Sequence, residues 1–101
     1  MRCLNVLYPN SPGARFDFDY YMSKHMALVD KTFGKSIARI EVRRGVATPD
    51  GKPPAYIAVA ALWIASQEAF DAASAQHGAT VRGDVANFSN VQPLVQIDES
   101  L

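Results

Sequence analysis

Hydrophobic and polar positions along this chain repeat with two periods, one typical of helices and one typical of strands. In residues 16–34 (FDFDYYMSKHMALVDKTFG), the spacing of three and four between apolar positions predicts an α-helix with one buried stripe. The apolar and aromatic positions are Phe18, Tyr21, Met22, Leu28, Val29 and Phe33. Asp17 is a favourable N-cap for this helix, and Gly34 is a favourable residue to end it.

Four segments have the composition and alternation of β-strands: residues 2–8, 36–46, 55–64 and 91–98. The segment 55–64 is apolar throughout, which predicts a strand buried on both faces. The charges in 36–46 instead predict one solvated side and a position near a sheet edge. Pro93 has no amide hydrogen, so the last strand is expected at an edge or at a bulge.

A second helix is predicted to begin after Ser66, a favourable N-cap residue, and to end at Gly78. Residues 79–86 are ambiguous, because they are compatible with a further short helix but contain Gly83. The order is therefore strand, helix, strand, strand, helix, strand. This order predicts an α+β, ferredoxin-like βαββαβ fold, with a four-stranded antiparallel sheet and both helices on one face.

The other face of such a sheet is left bare, although the strands contain more apolar residues than two helices can cover. The residues that suggest this excess are Val59, Ala61, Trp63, Val91 and Val95. We therefore expect two sheets to pack face to face about a twofold axis. The expected assembly is a homodimer that forms a dimeric α+β barrel.

Composition and charge limit the remaining possibilities. The 101 residues fit one domain, residues 1–101, and a hydrophobic fraction of 49% suggests surface covered by a partner subunit. Ten basic and ten acidic residues give zero net charge, which argues against nucleic acid as a partner. Cys3 is the only cysteine, so an intrachain disulfide and a cysteine-based zinc site are excluded. No apolar run suggests a signal peptide or membrane contact, so a cytoplasmic location is expected.

His25 is the strongest candidate for chemistry, because imidazole titrates near neutrality and can act as an acid, a base or a donor. It shares the apolar stripe of the first helix with Tyr21 and Val29. Two interpretations remain open, a core histidine bonded to a carbonyl or a tyrosine, and a ring that borders a cavity. His77 is the only other histidine and no carboxylate has a suitable spacing, so no metal site is expected.

Two stretches, LYPNSPGARFDFDYYMSKHMALV and NFSNVQPLVQI, resemble the EthD family. This family consists of small dimeric α+β barrel proteins named from an ethyl tert-butyl ether degradation locus. The distinctive parts are Tyr8-Pro9, Asp19-Tyr20-Tyr21, Lys24-His25-Met26 and Asn87-Phe88-Ser89-Asn90. Ala27 stands where the family usually has proline. The resemblance implies a pocket between helix and sheet, with His25 as the catalytic acid or base.

Four further residues are candidates for substrate binding: Tyr8, Tyr21, Asn87 and Asn90. The two tyrosines would donate hydrogen bonds to a substrate oxygen, and Tyr21 rather than Tyr20 is expected to face inward. Each candidate also has a structural alternative. The tyrosine rings would simply pack in the core, and the asparagine amides would satisfy nearby backbone groups.

Members of the resembled family are often described as reductases or linked to oxidative degradation. This chain contains no GxGxxG fingerprint, and no cofactor is expected. The first hypothesis is a cofactor-independent oxidoreductase, isomerase or lyase that converts a small, largely apolar organic molecule. The alternative is a non-catalytic small-ligand binding or auxiliary protein of a catabolic or biosynthetic pathway. A third hypothesis is an accessory protein that takes electrons from a separate partner.

Overall fold

Strands and helices follow one another in the predicted order, and the computed structural model describes all residues, 1–101. The strands are β1 (Arg2–Pro9), β2 (Ile37–Arg44), β3 (Tyr56–Ile64) and β4 (Leu94–Glu99). The helices are α1, made of the consecutive segments Phe18–Tyr20, Tyr21–His25 and Met26–Phe33, and α2 (Gln67–Gly83). A short 3₁₀ turn follows each helix, at Gly34–Ser36 and at Asp84–Asn87.

Both helices begin at the predicted capping residues. The Asp17 side chain accepts a hydrogen bond from the Tyr20 backbone N–H at 3.0 Å. The Ser66 hydroxyl accepts one from the Ala69 backbone N–H at 3.2 Å. These bonds satisfy donors that the first turn of a helix leaves without partners. Gly34 ends α1 with a φ of 48°, a conformation that favours glycine.

The middle segment of α1 is a π-helical turn, in which the Met26 N–H bonds to the carbonyl of Tyr21, five residues earlier. Tyr21, His25 and Val29 form the buried stripe of the helix. Met22 was predicted to share that stripe, but its side chain is 53% exposed. The prediction was wrong because Tyr21, His25 and Val29, which are four residues apart, define the buried stripe. Met22 follows Tyr21 directly, and adjacent helical positions point about 100° apart, so Met22 faces solvent.

The sheet has the strand order β2-β3-β1-β4, and every neighbouring pair is antiparallel. β2 is an edge strand, as its charges predicted, and β3 is largely buried at the centre. β4 is the other edge, and all its residues are exposed. It begins at Leu94 rather than at the predicted Val91, after Pro93, which cannot donate to a ladder.

Helix α2 does not end at Gly78 as predicted, but continues to Gly83. Gly78 is buried within the helix, and its φ is not positive. The ambiguous residues 79–86 therefore complete α2 and enter the 3₁₀ turn. A glycine inside a helix costs about 1 kcal/mol relative to alanine, so its position needs a local explanation.

Both helices pack on the same face of the sheet, which confirms the predicted α+β, ferredoxin-like fold. The small residues Ala58 and Ala60 of β3 leave room for the rings of Tyr8 and Tyr21. The core cluster is completed by Val29, Leu62 and Phe88. The Phe33 and Phe70 rings stack with centroids 4.8 Å apart and join the two helices.

The opposite face of the sheet is covered by no helix of this chain. Leu7 lies opposite Val59 and Leu94 on this face, and Trp63 lies opposite Cys3. Val95 had been grouped with these residues, but it pairs with Val6 and lies on the helix side of the sheet. We call the side that carries Leu7, Val59, Trp63 and Leu94 the open face. No helix of the protein combines the length and the apolarity needed to cross a membrane.

Candidate functional site

A cavity of about 210 Å³ lies between the two helices and the sheet. Most of its wall is apolar and includes Leu4, Val29, Leu62 and Phe70. A cavity of about 150 Å³ is enough to hold benzene, so this one has room for a molecule built on a single ring. The side chains that bring polar groups to its wall are Tyr8, Tyr21, His25, Ser74 and Arg82.

His25 is held on three sides. It is only 4% exposed and stacks on Tyr21, with ring centroids 5.2 Å apart. The Phe88 ring packs on it at a centroid distance of 4.7 Å. Its Nδ1 lies 2.8 Å from Oδ2 of Asp84, in the turn after α2. The π-helical turn of α1 ends at His25, and such turns occur frequently at functional sites.

The Asp84 carboxylate accepts hydrogen bonds from three side chains. The Tyr20 hydroxyl donates to Oδ1 at 2.7 Å, and the Asn87 amide donates to the same oxygen at 2.9 Å. Burial acts to raise the pKa of Asp84, but the bonds from Asn87, Tyr20 and His25 outweigh it and lower that pKa below its ordinary value. Asp84 is therefore ionised at neutral pH.

An ionised carboxylate can only accept a hydrogen bond, so the Nδ1–H of His25 donates to Asp84, and in the neutral ring the hydrogen is assigned to Nδ1. The other nitrogen, Nε2, then carries a lone pair. No protein group bonds to Nε2, and His25 is part of the cavity wall. His25 is consequently arranged as a base at the cavity. The Asp84 carboxylate, on the other side of the ring, can stabilise the imidazolium that forms when Nε2 takes a proton.

Tyr8 and Tyr21 place two phenols in the same cavity wall. Their rings meet edge to face at a centroid distance of 6.1 Å, and each residue is only 2% exposed. Burial raises the pKa of both phenols above the ordinary value, and for Tyr21 the neighbouring Tyr8 adds to the effect. No protein group hydrogen-bonds to either hydroxyl. Both are therefore neutral donors available to a molecule in the cavity.

The two asparagines predicted to bind substrate lie outside the cavity wall. Asn87 donates to Asp84, as described above. The Asn90 amide donates to the Gly13 carbonyl at 3.0 Å, and its oxygen accepts from the Arg15 backbone N–H at 2.8 Å. Asn90 thus fastens the loop before α1 to the loop before β4. The structure brings Tyr8, Tyr21 and His25 together and leaves Asn90 apart from them.

Three polar residues of the site were missed in the sequence: Asp84, Ser74 and Arg82. Asp84 is 59 residues from its partner His25, in a stretch where no strand or helix could be assigned with certainty. A helix continued past Gly78 would have placed Ser74, Gly78 and Arg82 on one stripe, since they are four residues apart. Nowhere in the protein do three His, Cys, Asp or Glu side chains gather as they would around a metal ion.

The sequence comparison identifies one family: a model described as the EthD domain matches residues 14–92 of this chain. No curated protein matches the chain. Among solved structures, an EthD-like protein from Ralstonia eutropha JMP134 is similar, with 41% sequence identity and a TM-score of 0.89. The match covers 97% of this chain and 89% of that protein.

Two more distant structures share the fold. An ethyl tert-butyl ether degradation (EthD) family protein from Bacillus halodurans C-125 has 22% identity and a TM-score of 0.77, with 100% of this chain and 99% of that one covered. HapK from Hahella chejuensis has 20% identity and a TM-score of 0.60, with 100% and 93% covered. At these identities the similarity shows the fold alone.

Proposed function

This chain belongs to the EthD family, and on that premise we propose that it is a cofactor-independent enzyme that moves a proton on a small, largely apolar organic molecule. The match over residues 14–92 confirms the resemblance, and it includes Lys24-His25-Met26 and Asn87-Phe88-Ser89-Asn90. One observation carries the proposal: the Asp84 carboxylate holds His25 through Nδ1, and Nε2 is left free in the wall of an apolar cavity.

The reaction that these groups suit is proton abstraction from a carbon next to a carbonyl. His25 Nε2 takes the proton, the C–H bond breaks, and its electron pair forms the C=C bond of an enolate while the negative charge moves to the oxygen. Asp84 stabilises the imidazolium that forms. In a substrate with a C=C bond between its β- and γ-carbons, return of the proton to the γ-carbon would shift that bond into conjugation with the carbonyl and complete an isomerisation. Departure of a group from the β-carbon with its bonding electron pair would instead complete an elimination.

Tyr8 and Tyr21 are proposed as the groups that bind the substrate oxygen. A neutral phenol in an apolar pocket is a strong donor to an oxygen that gains negative charge, because little water competes for it. A phenol with an ordinary pKa near 10 is already protonated at neutral pH, and burial raises the pKa of both phenols further. For Asn87 we propose a positioning role through Asp84, and the predicted contact of Asn90 with substrate stays a prediction.

The alternative function is binding without turnover, by a carrier or an auxiliary protein. The apolar wall and the two free hydroxyls support it, since they orient a ligand as well as they assist a reaction. A carrier, however, has no need of a carboxylate behind the histidine. The role of Asp84 therefore separates the two functions, and we favour the enzyme.

We also propose that the protein is a homodimer joined through the open face, and that it works in the cytoplasm. Leu94 is 56% exposed on that face, and Val59 and Trp63 are only half-buried there. The Trp63 indole nitrogen is buried without an acceptor, which is unusual in a complete structure. A second copy of the sheet would remove these apolar side chains from water.

Hydrogen exchange tests the proposed chemistry without knowledge of the natural substrate. Cyclohexanone, acetophenone and 4-phenyl-2-butanone are first tested for binding by NMR titration. The loss of their α-hydrogens in D₂O is then followed with wild-type protein and with His25→Gln. For any ketone that binds, we expect the wild type to exchange roughly a thousandfold faster than the variant.

His77→Gln is the matched control, because His77 is the other histidine and lies exposed on α2. This control should exchange as the wild type does. Equal exchange by wild type and His25→Gln on every bound ketone would contradict the enzyme and leave the carrier. Failure of all three ketones to bind would count against the cavity as a ligand site.

A further inference from the structure

Arg82 is a cation in the cavity wall that has no partner in the protein. It projects from the last turn of α2 and is exposed at the cavity rim. The cations of the ion pairs in this structure are His25, Arg39, Arg43 and Lys52. The side-chain hydrogen bonds of α2 are limited to the Ser66 cap and the Gln67–Asp71 pair, so Arg82 forms none.

Gly78 explains how the Arg82 guanidinium reaches this position. A Cβ placed on Gly78 would lie 2.8 Å from Nη1 of Arg82 and 3.1 Å from Oγ of Ser74. The glycine therefore clears a space on the helix surface that both polar groups border. Ser74, like Arg82, lines the cavity and has no side-chain hydrogen bond. The helix thus has its least favourable residue, other than proline, where these two donors converge.

The polar groups in the cavity wall come from different elements of the fold, and most of the remaining wall is apolar. One group consists of His25, Tyr8 and Tyr21, on α1 and β1, and we have proposed it as the reacting end. The other consists of Ser74 and Arg82, on α2. A guanidinium beside a hydroxyl matches a carboxylate, which accepts charge-assisted hydrogen bonds from both.

We propose that the ligand of this cavity is a small organic acid, with an apolar body along the wall and a carboxylate bound by Arg82 and Ser74. The inference rests on the proposed function, because it names the substrate class of the same site. It gives the ligand a direction: the carboxylate lies against α2 at the rim, and the reacting carbon lies toward His25.

A structural role for Arg82 is the competing explanation. A cation in the last turn of a helix interacts favourably with the helix dipole. That role needs only a positive charge near the helix end and does not require a glycine at position 78. A substitution that moves the guanidinium but keeps the charge therefore separates the two explanations.

The test compares a carboxylate with its neutral isostere. Benzoate and benzamide are titrated into the full-length protein, and binding is followed by calorimetry and NMR. We expect the wild type to bind benzoate about tenfold more tightly than benzamide. Arg82→Gln should abolish that preference and leave benzamide affinity unchanged, and Lys31→Gln, which removes an exposed cation on α1 outside the cavity wall, should preserve it.

Gly78→Ala is the sharper variant, because it improves the helix and should not unfold the protein. Its methyl group would displace the Arg82 guanidinium, so the preference for benzoate should fall toward that of Arg82→Gln. Equal binding of both probes by the wild type, or a preference that survives Arg82→Gln, would overturn the carboxylate site while the cavity stands. Binding of neither probe would overturn the small-ligand cavity itself, and this inference with it.

Discussion

The two faces of the sheet both present polar groups without protein partners, but in different surroundings. On the helix side, the free groups are His25 Nε2 and the Tyr8 and Tyr21 hydroxyls, in the wall of a cavity. On the open face, the free group is the Trp63 indole N–H, under the Arg39 side chain and beside apolar residues. A cavity lets water or a ligand reach its groups, whereas a bare apolar face requires another protein surface.

Chemistry is therefore expected on the helix side of the sheet, and assembly is expected on the open face. The helix side has the one ionised carboxylate that contacts an imidazole, and it encloses too small a space for another chain. On the open face, charged and polar side chains lie toward both edges of the sheet. Arg39, Glu41 and Arg43 follow edge strand β2. Toward the other edge, the Asn5 and Gln96 amides donate hydrogen bonds to Asp98. Substitutions on one face should therefore change catalysis and leave assembly intact, and those on the other face should do the reverse.

Among the further substitutions that compare the two faces, the largest effect is expected from Asp84→Asn on the helix side. The amide can still accept the Nδ1 hydrogen, but it lacks the charge that stabilises the imidazolium. We expect the exchange rate of a bound ketone to fall about a hundredfold or more, with its dissociation constant nearly unchanged. NMR exchange at saturating ketone and a binding titration measure the two quantities separately.

Two controls accompany this prediction: the Asp84→Glu variant, and the assembly state of the wild type and of both variants. A carboxylate retained at position 84 should restore part of the rate, which no purely structural role would explain. Sedimentation should show the same assembly for all three proteins. If Asp84→Asn weakened binding and rate equally, Asp84 would act on the shape of the site and not on the charge of His25.

The next effect in size concerns assembly and compares two exposed residues of β4. Leu94 lies on the open face and Ile97 on the helix side, and they are 56% and 51% exposed. Leu94→Lys places a charge in the proposed interface, so the dimer dissociation constant should rise at least about tenfold. Ile97→Lys should leave it unchanged. Sedimentation velocity over a concentration series measures both.

Both lysines are introduced at positions already exposed in the single chain, so neither should impair its folding. The pair therefore reports on association alone. A wild-type protein that sediments as a compact monomer would remove the open face as an interface. If Ile97→Lys dissociated the dimer and Leu94→Lys did not, the interface would lie on the helix side, which would contradict the proposal.

The fold could be predicted because its determinants are local. Asp17, Gly34 and Ser66 mark helix ends through bonds or conformations within a few residues, and the apolar run of β3 requires burial whatever its neighbours are. Gly78 misled the prediction, because a glycine inside a helix and a glycine ending one look alike in sequence. What differs is the surrounding space, which Arg82 and Ser74 occupy.

The part of the site on the first helix, and Tyr8 on β1, could be predicted from the sequence, but the part on α2 could not. The stripe of α1 correctly placed Tyr21 and His25 inward, and their stacking depends on a π-helical turn that periodicity does not reveal. The partner of His25 could not be found, because Asp84 is fixed by tertiary packing of α2 against α1. Tyr20, a further donor to Asp84, was predicted to face away from the core because Tyr21 faces inward and adjacent helical positions diverge, yet the Tyr20 hydroxyl reaches Asp84.

The smallest effect, and the most direct test of the helix side, is expected from Tyr8→Phe. Its hydroxyl has no protein partner, so removal should change the free energy of unfolding at pH 7 by only about 0.5 kcal/mol. At high pH the two proteins should diverge. Burial raises the folded-state pKa of Tyr8 and Tyr21, so the folded protein keeps both phenolic protons at a pH where the unfolded chain, with a pKa near 10, has lost them.

The unfolded state then binds fewer protons, and stability present below about pH 10 is lost as the pH rises toward the folded-state pKa. Each buried phenol should contribute a slope of about 1.4 kcal/mol per pH unit in that range. Tyr8→Phe removes one of the two phenols, so it should halve their combined contribution to the slope of the free energy of unfolding against pH. Urea unfolding between pH 9 and 12, with phenolate absorbance as a second signal, measures it. A loss above about 1.5 kcal/mol at pH 7 would mean that the hydroxyl already has a partner, and Tyr8 could not be the free donor that the proposed reaction needs.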